Sequence, residues 1–227
     1  MSTVPPGPVP SPNPLPWEAR ETRGLLPAFF DTLGLLVTRP AEAWARMRQS
    51  GDTTSPLLFG TAICWLSMAL QGIVFRLIPA PMLPGFLARR FGTLGRFGGM
   101  GLAVRLIVAP FVIVIVLFVG AAILHLCCML VGALENSRSG FEGSLRVVCY
   151  SKVSTLASII PAIGALIGIV WWIVLAVQGV QRLHQTTSGK AAAAVLIPVV
   201  VCCGGLLLIF LAVGAAFMSG RFGRFGH

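Results

Sequence analysis

The sequence predicts an all-α integral membrane protein, in which interfacial helices precede a bundle of about five hydrophobic helices whose third member is short and amphipathic. Only 11% of the 227 residues are charged and 56% are hydrophobic, whereas charged residues make up about 25% of a soluble domain. Because about 18 uncharged apolar residues in a row indicate a membrane-spanning helix, long runs without Asp, Glu, Lys or Arg are informative. Such runs lie at 57–75, 106–134, 153–181 and 191–219.

Residues 1–24 are predicted to be a Pro-rich disordered tail. Seven prolines lie within residues 1–16, and a segment of this composition cannot bury a hydrophobic core. No positively charged stretch leads into an apolar run here, so a secretory signal peptide is not expected. A spacer is favoured over a Pro-rich ligand for a partner domain.

Residues 25–54 are predicted to form amphipathic interfacial helices. The apolar run at 25–37 has about 13 residues, which is too few to cross a bilayer. Pro40 suits the first turn of a second short helix at 41–49. Large apolar side chains of the first helix share one face, as is typical of a helix lying in the headgroup plane: Leu26, Phe29, Phe30, Leu33 and Leu36.

Cations and a tryptophan close to the apolar segments are predicted to contact lipid headgroups, as such residues do at membrane interfaces. Two of them lie in a basic, glycine-rich loop at 85–101, whose Arg-Phe-Gly units recur in a short basic tail at 220–227. The residues expected in this role are Arg39, Trp44, Arg46, Arg48, Arg89 and Arg90.

The transmembrane domain is predicted to occupy residues 55–219. Ser55 and Pro56 suit a helix start, and Pro161 is expected to turn the chain after the amphipathic third segment. Residues 153–181 also fit one tilted span, so four and five crossings both remain open. The expected segments, in order, are 57–78, 106–134, 145–160, 163–181 and 191–218.

Several residues of this domain are predicted to mediate helix packing or partner contact. Gly164 and Gly168 have the spacing that permits close helix approach, and packing within one chain is favoured over dimerisation. His125 lies well inside a predicted span with no carboxylate nearby in sequence, so a packing hydrogen bond is favoured over proton relay or metal binding. The full set is His125, Tyr150, Pro161, Gly164, Gly168, Trp171, Trp172 and Gly179.

The sequence lacks the motifs of common hydrolases, so we expect no enzyme, no catalytic residue, no metal site and no cofactor. It contains neither H-E-x-x-H nor G-x-S-x-G, and its six cysteines have no zinc-site spacing. The net charge of +10 comes from cations at span ends. This placement indicates anionic lipid headgroups, and no nucleic acid, as binding partners.

The order and spacing of residues across 125–198 resemble a known family. The pattern consists of His125, Gly132, Phe141, Arg146, Tyr150, Pro161, Gly164, Trp171, Trp172, Gly179, His184, Lys190, Ala191 and Pro198. Upstream, Arg39-Pro40, Trp44 and Ser55-Pro56-Leu57 also fit. With this pattern the chain resembles the Yip family of membrane proteins, which takes its name from interaction with Ypt/Rab small GTPases.

The resemblance implies a five-helix domain with a cytosolic N-terminus. For eukaryotic members it implies vesicle trafficking through small GTPases and other Yip proteins. The Pro-rich tail predicted here offers no long folded region for a GTPase, so that partner is expected only if the chain is eukaryotic-like. Use of Arg over Lys, with much Ala, Gly and Pro, favours a bacterial member in the cytoplasmic membrane; an ER or Golgi membrane is the alternative.

Two functions follow from these observations. The first is a non-enzymatic scaffold or membrane-organising protein of the Yip type, acting through anionic lipids and homo- or hetero-oligomers with other membrane proteins. The alternative is a small transporter or permease subunit, with a polar path along Tyr150, Ser154, Ser158 and His125. The absence of acidic residues from the predicted spans disfavours proton- or ion-coupled transport.

Overall fold

The computed structural model describes residues 13–77, 98–161 and 163–218, and these residues form helices joined by short connections. A 3-10 turn at Pro16–Ala19 precedes the first α-helix, and a 3-10 helix at Lys152–Ile159 continues the sixth. The α-helices are α1 (Arg20–Arg23), α2 (Leu25–Thr38), α3 (Pro40–Arg46), α4 (Thr54–Leu77), α5 (Gly98–Leu130), α6 (Gly140–Ser151), α7 (Gly164–Leu183) and α8 (Ser188–Met218).

Within the described residues, three stretches are long and apolar enough to cross a membrane: Thr54–Val74, Leu106–Leu130 and Gly164–Leu183. Ser188–Val201, the first part of α8, is a shorter apolar helix. Large apolar side chains on these helices are exposed, among them Phe111 at 73% and Leu166 at 68%. Because exposed side chains of this size suit lipid rather than water, the predicted multi-pass membrane protein is confirmed.

The third segment differs from the single amphipathic helix expected at 145–160. It begins earlier, at Gly140, and changes to 3-10 geometry at Lys152. Thr155 donates its hydroxyl to the Lys152 carbonyl, and Ser158 donates to Thr155. Such bonds to a carbonyl three residues back compete with the α-helical pattern, which accounts for the tighter winding. The turn expected at Pro161 lies where α7 is about to begin.

The segments of the bundle alternate in direction. Gly60 on α4 lies against Cys149, and Ser67, further along α4, bonds Thr155, further along the third segment. The third segment therefore runs parallel to α4. Helix α7 runs back along the third segment, since its first turns contact residues 154–160 and its last turn reaches Ser139. One end of the bundle therefore holds the starts of α4, α6 and α8 and the ends of α5 and α7; we call it the polar end.

Residues 13–24 correct the prediction of a disordered tail over 1–24. Leu15 is fully buried and Trp17 is 6% exposed. Trp17 donates its indole N–H to the Ser55 carbonyl at 2.7 Å and its backbone N–H to Thr32 at 2.8 Å. Its ring packs against Phe29 and Phe59 at centroid distances of 5.9 and 5.8 Å. Residues 1–12, like the predicted tail at 220–227, lie outside the described residues.

Helix α2 is apolar on two sides rather than one. Its inner side buries Ala28, Thr32 and Leu36. Its first turns expose Leu25 at 63% and Leu26 at 70%, and further along Phe30 is 59% exposed. Some residues of the predicted apolar face therefore pack against the bundle, and others point away from it. Helix α2 is held against the domain and still presents hydrophobic side chains outward.

Candidate functional site

A buried arginine organises the polar end. The side chain of Arg146 on α6 is completely buried. Its Nη2 lies 2.9 Å from the Glu142 carboxylate and donates to the Asp52 carbonyl at 2.8 Å. Its Nε lies 3.8 Å from the equally buried Glu18 carboxylate. The guanidinium therefore joins the N-terminal segment, the connection before α4 and the start of α6, and we call these groups the Arg146 cluster.

The acidic members of the Arg146 cluster also bind backbone N–H groups. Glu142 accepts from Gly51 at 3.0 Å and from Asp52 at 2.7 Å. Glu18 accepts from Arg48 at 3.0 Å. Asp52 accepts from the backbone of Ser55 at 3.0 Å, at the start of α4. These backbone N–H groups lie before α4 or in its first turn, where no helical carbonyl can accept from them. The carboxylates that accept from them hold the connection between α3 and α4 against the bundle.

Burial and hydrogen bonding act in opposite directions on two of these carboxyls. Burial raises the pKa of Glu18 above its ordinary value, although the Arg48 N–H and the Arg146 charge act in the other direction. At Asp52, burial also acts to raise the pKa. Hydrogen bonds from Ser55 and Thr54 and the Arg146 charge outweigh it, so the pKa of Asp52 is lowered.

A second cluster links two histidines through a serine. Ser144 Oγ lies 3.1 Å from His125 Nδ1 and 3.0 Å from His184 Nε2. His184 Nδ1 lies 2.7 Å from Ser137 Oγ. Ser139 donates to the Leu183 carbonyl at 2.8 Å. The hydrogen bonds thus run from within α5 to the half-buried Ser137, and they join the ends of α5 and α7 to the start of α6.

Burial, and to a smaller extent the neighbouring His125, lower the pKa of His184 to about 4. The ring is fully buried and accordingly neutral near pH 7. A Cβ built on Gly143 would lie 3.0 Å from His184 Cε1, so a glycine at that position leaves room for the ring. Either nitrogen of a neutral imidazole can carry the proton. Each histidine ring can therefore donate a hydrogen bond to a serine hydroxyl or accept one from it.

No group of three or more His, Cys, Asp or Glu side chains able to hold a metal ion occurs among residues 13–77, 98–161 and 163–218. The two histidine rings lie 6.4 Å apart between centroids, with Ser144 between them.

Comparison with known proteins identifies the domain that contains both clusters. The family model of the Yip1 domain matches residues 33–211. The chain belongs to the Yip1 domain family. No curated protein and no solved structure matches it. The matched region contains Arg146 and His184, whereas Glu18 and Trp17 precede it, so the segment before the Yip1 domain supplies one carboxylate of the Arg146 cluster.

Glycines predicted for packing lie at close approaches within the Yip1 domain. A Cβ on Gly164 would lie 2.1 Å from the Ala157 carbonyl oxygen. On Gly168 it would lie 3.1 Å from the Ser154 oxygen, and on Gly179 it would lie 2.9 Å from the Trp44 ring. Glycine allows α7 to approach the third segment and α3 at these points.

The remaining predicted packing residues occupy varied positions. Tyr150 is fully buried and its ring lies 5.1 Å from that of Phe59. His125 is half-buried and bonds Ser144, as described above. Trp171 and Trp172 are half-buried and pack against the core, and Pro161 is half-buried in the turn before α7.

The predicted headgroup contacts are corrected at one position. Trp44 is only 1% exposed and packs on Gly179, so it is part of the protein interior rather than an interface anchor. Arg39 and Arg46 both pair with Glu42, the first of them with 73% of its side chain exposed. Arg48 is exposed. Arg89 and Arg90 lie outside the described residues.

Sequence reasoning named Arg146 and His184 only as part of the family resemblance and missed the residues that they contact. Glu142 and Arg146 are four residues apart on one helix, a spacing that signals an ion pair. Glu18 carries no comparable local signal, because its partner lies far along the chain. Lys152 was also missed: it is half-buried within the third segment, at the change to 3-10 geometry.

Proposed function

We propose that this Yip1 domain protein is a non-enzymatic scaffold that organises membranes through lipid and protein partners. The supporting observation is the first part of α2, where Leu25, Leu26 and Phe30 are exposed on a helix packed against the bundle. A rigidly held apolar surface of this kind suits the boundary between headgroups and acyl chains, or a partner helix.

Several cations lie at the polar end of the bundle. Arg20 bonds Ser55, and Arg138 and Arg182 are exposed and close in sequence to Ser137 and His184. Lys190 joins the Glu135 carboxylate and the Gly132 carbonyl at 3.0 and 2.9 Å. Positive charge in short connections favours the cytoplasmic side, so we propose that the polar end faces the cytoplasm, in a bacterial cytoplasmic membrane.

The test replaces Leu25, Leu26 and Phe30 together by Ala. The control replaces three exposed residues of the spanning helix α5, Phe111, Val112 and Ile115, by Ala. Both proteins are crosslinked in native membranes, purified, and their partners identified by mass spectrometry. We expect the α2 variant to insert normally but to lose partner proteins that the control retains; an unchanged partner set in the α2 variant contradicts a scaffold role for this surface.

A transporter is the second candidate, supported by polar contacts at membrane depth. Ser67 and Thr155 hydroxyls lie 2.9 Å apart, and Gln71 donates to the Ser158 carbonyl at 3.0 Å. Lys152 lies in the same segment. Polar and ionisable residues at such depth often mark a substrate path. Solute flux into proteoliposomes that is lost on Lys152→Met or His125→Ala supports this candidate, and silent flux across varied solutes opposes it.

A further inference from the structure

A cavity of about 560 Å³ lies between α3 and α7 at the polar end. Ala41 and Trp44 line it from α3, Gln178 and Arg182 from α7, and Gln185 and Thr186 from the connection that follows. Ligand pockets typically measure about 300–1,000 Å³, so this cavity is large enough for a headgroup. Neither hydrogen-bonded cluster described above supplies these lining residues.

Two buried polar atoms belong to residues of this cavity. Trp44 Nε1, a donor, and Gln178 Oε1, an acceptor, are buried and have no hydrogen-bond partner within the described part of the chain. An unpaired buried polar atom costs free energy, so a ligand that supplies both an acceptor and a donor is favoured. Arg182 adds an exposed cation with no acidic partner among residues 13–77, 98–161 and 163–218.

We propose that this cavity binds the headgroup of a glycerophospholipid, with the phosphodiester accepting from Trp44 and Arg182 and a terminal hydroxyl or ammonium group donating to Gln178. Guanidinium groups bind phosphate oxygens through charge-assisted hydrogen bonds. The inference rests on the proposed role in membrane organisation and names one lipid site on the Yip1 domain.

The surface of α7 beyond the cavity indicates a lipid rather than a soluble phosphate ester. Residues three, four and seven apart share one face of a helix, and by this rule Val170 and Val174 continue the face of Gln178 and Arg182. Val170 and Val174 are 63% and 46% exposed. A headgroup seated in the cavity would therefore have its acyl chain along an apolar strip of the same spanning helix.

The experiment measures lipid bound to the purified full chain. The protein is exchanged into mixed micelles containing phosphatidylglycerol and phosphatidylcholine in equal amounts, and bound lipid is counted by native mass spectrometry. We expect phosphatidylglycerol to be retained over phosphatidylcholine, whose headgroup lacks a donor for Gln178. Arg182→Gln is expected to lower retention by roughly tenfold or more, the effect of losing a charge-assisted hydrogen bond.

Matched variants separate this site from general charge attraction. Arg138→Gln removes an exposed cation from the same end and is expected to leave retention unchanged, whereas Ala41→Trp fills the cavity and is expected to abolish it. Circular dichroism checks that each variant is folded. Equal retention by wild type, Arg182→Gln and Ala41→Trp overturns the proposal, as does equal loss in Arg182→Gln and Arg138→Gln.

A competition arm distinguishes the source of the phosphate. Glycerol 3-phosphate that displaces phosphatidylglycerol at low concentration would show that the cavity takes free phosphate esters, which overturns the lipid assignment. Failure to displace supports it. A variant that loses phosphatidylglycerol but keeps its protein partners in native membranes would separate the lipid site from the scaffold function. The two proposals can therefore fail independently.

Discussion

Arg146 has no exposed side-chain surface, so its charge is stabilised only by the groups around it. Glu142 and Glu18 supply opposite charge, and the Asp52 carbonyl supplies a further acceptor. A buried ion pair contributes little net stability compared with apolar residues of the same size, whereas a broken pair leaves an uncompensated charge. The cluster therefore specifies which segments meet, and its disruption is costly.

Replacing Arg146 by Met is expected to destabilise the protein by about 3–5 kcal/mol, because the neighbouring carboxylates lose their buried partner. Denaturant titration in detergent measures the free energy of unfolding. Arg138→Met, at an exposed position, serves as the control and is expected to change stability by less than about 0.5 kcal/mol. Equal effects of the two substitutions would contradict the role of the Arg146 cluster.

His184 predicts a pH dependence of stability. Its pKa is lowered from 6.5 to about 4 in the folded protein. The contribution of neutral His184 to the free energy of unfolding is therefore complete above pH 6.5 and is lost as the pH falls towards 4. The difference amounts to about 3 kcal/mol. Because Glu18 and Asp52 also titrate in acid, the measurement compares wild type with His184→Gln between about pH 7 and pH 4.

In this comparison, wild type is expected to lose about 3 kcal/mol more than His184→Gln as the pH falls, because Gln does not titrate. Parallel stability curves for the two proteins would show that protonation of His184 does not oppose folding. The residue-level prediction from sequence was incomplete here: the resemblance included His184, but its bonds to Ser137 and Ser144 depend on helices brought together from distant parts of the chain.

At the scale of elements, the third segment and α7 approach each other closely. Their interface needs glycine at Gly164, where an added Cβ would meet a backbone oxygen that cannot rotate away. Sequence spacing predicted close approach at Gly164 and Gly168. It did not predict that the partner would be a 3-10 helix, because that geometry depends on hydroxyl bonds of Thr155 and Ser158 to the backbone.

Gly164→Ala is expected to destabilise the protein by about 1–3 kcal/mol, since the extra carbon forces α7 away from Ala157. The same detergent titration measures the change. Gly34→Ala provides a matched control within α2, where an added Cβ would meet nothing within 4 Å, and alanine there is expected to stabilise by about 0.5–1 kcal/mol. A neutral Gly164→Ala variant would show that the contact is looser than described.

At the scale of the whole molecule, alternating segments place the connections at 47–53 and 184–187 at one end of the bundle and the start of α7 at the other end, so we expect them on opposite sides of the membrane. In a cysteine-free background, Ser50→Cys and Gln185→Cys are expected to react with an impermeant maleimide from the same side. Ile163→Cys, at a 57% exposed position, is expected to react from the opposite side only. Labelling of all three positions from one side would contradict five alternating segments.

The fold class was predictable because a bilayer demands long uncharged helices, which a window of about 20 residues reveals. The family was predictable only through the resemblance in residue order and spacing across 125–198. Burial of Leu15 and Trp17 was not predictable from the proline-rich composition around them. Their order depends on hydrogen bonds and ring contacts with α2 and α4, such as the bond from Trp17 to Ser55. Long-range contacts of this kind leave no periodic trace in the sequence.

The mixed character of the third segment has a consequence for how the protein is made. Glu142, Arg146 and Lys152 lie within its 12 α-helical and 8 3-10 residues, and a cation at the centre of an inserting helix, the position closest to that of Lys152, costs about 2.5–3.5 kcal/mol at the translocon. The segment cannot leave the translocon for lipid by its own hydrophobicity. We therefore expect it to enter the bilayer beside α4 and α5, which are synthesised first, and Arg146 then to meet Glu18, a residue that left the ribosome earlier.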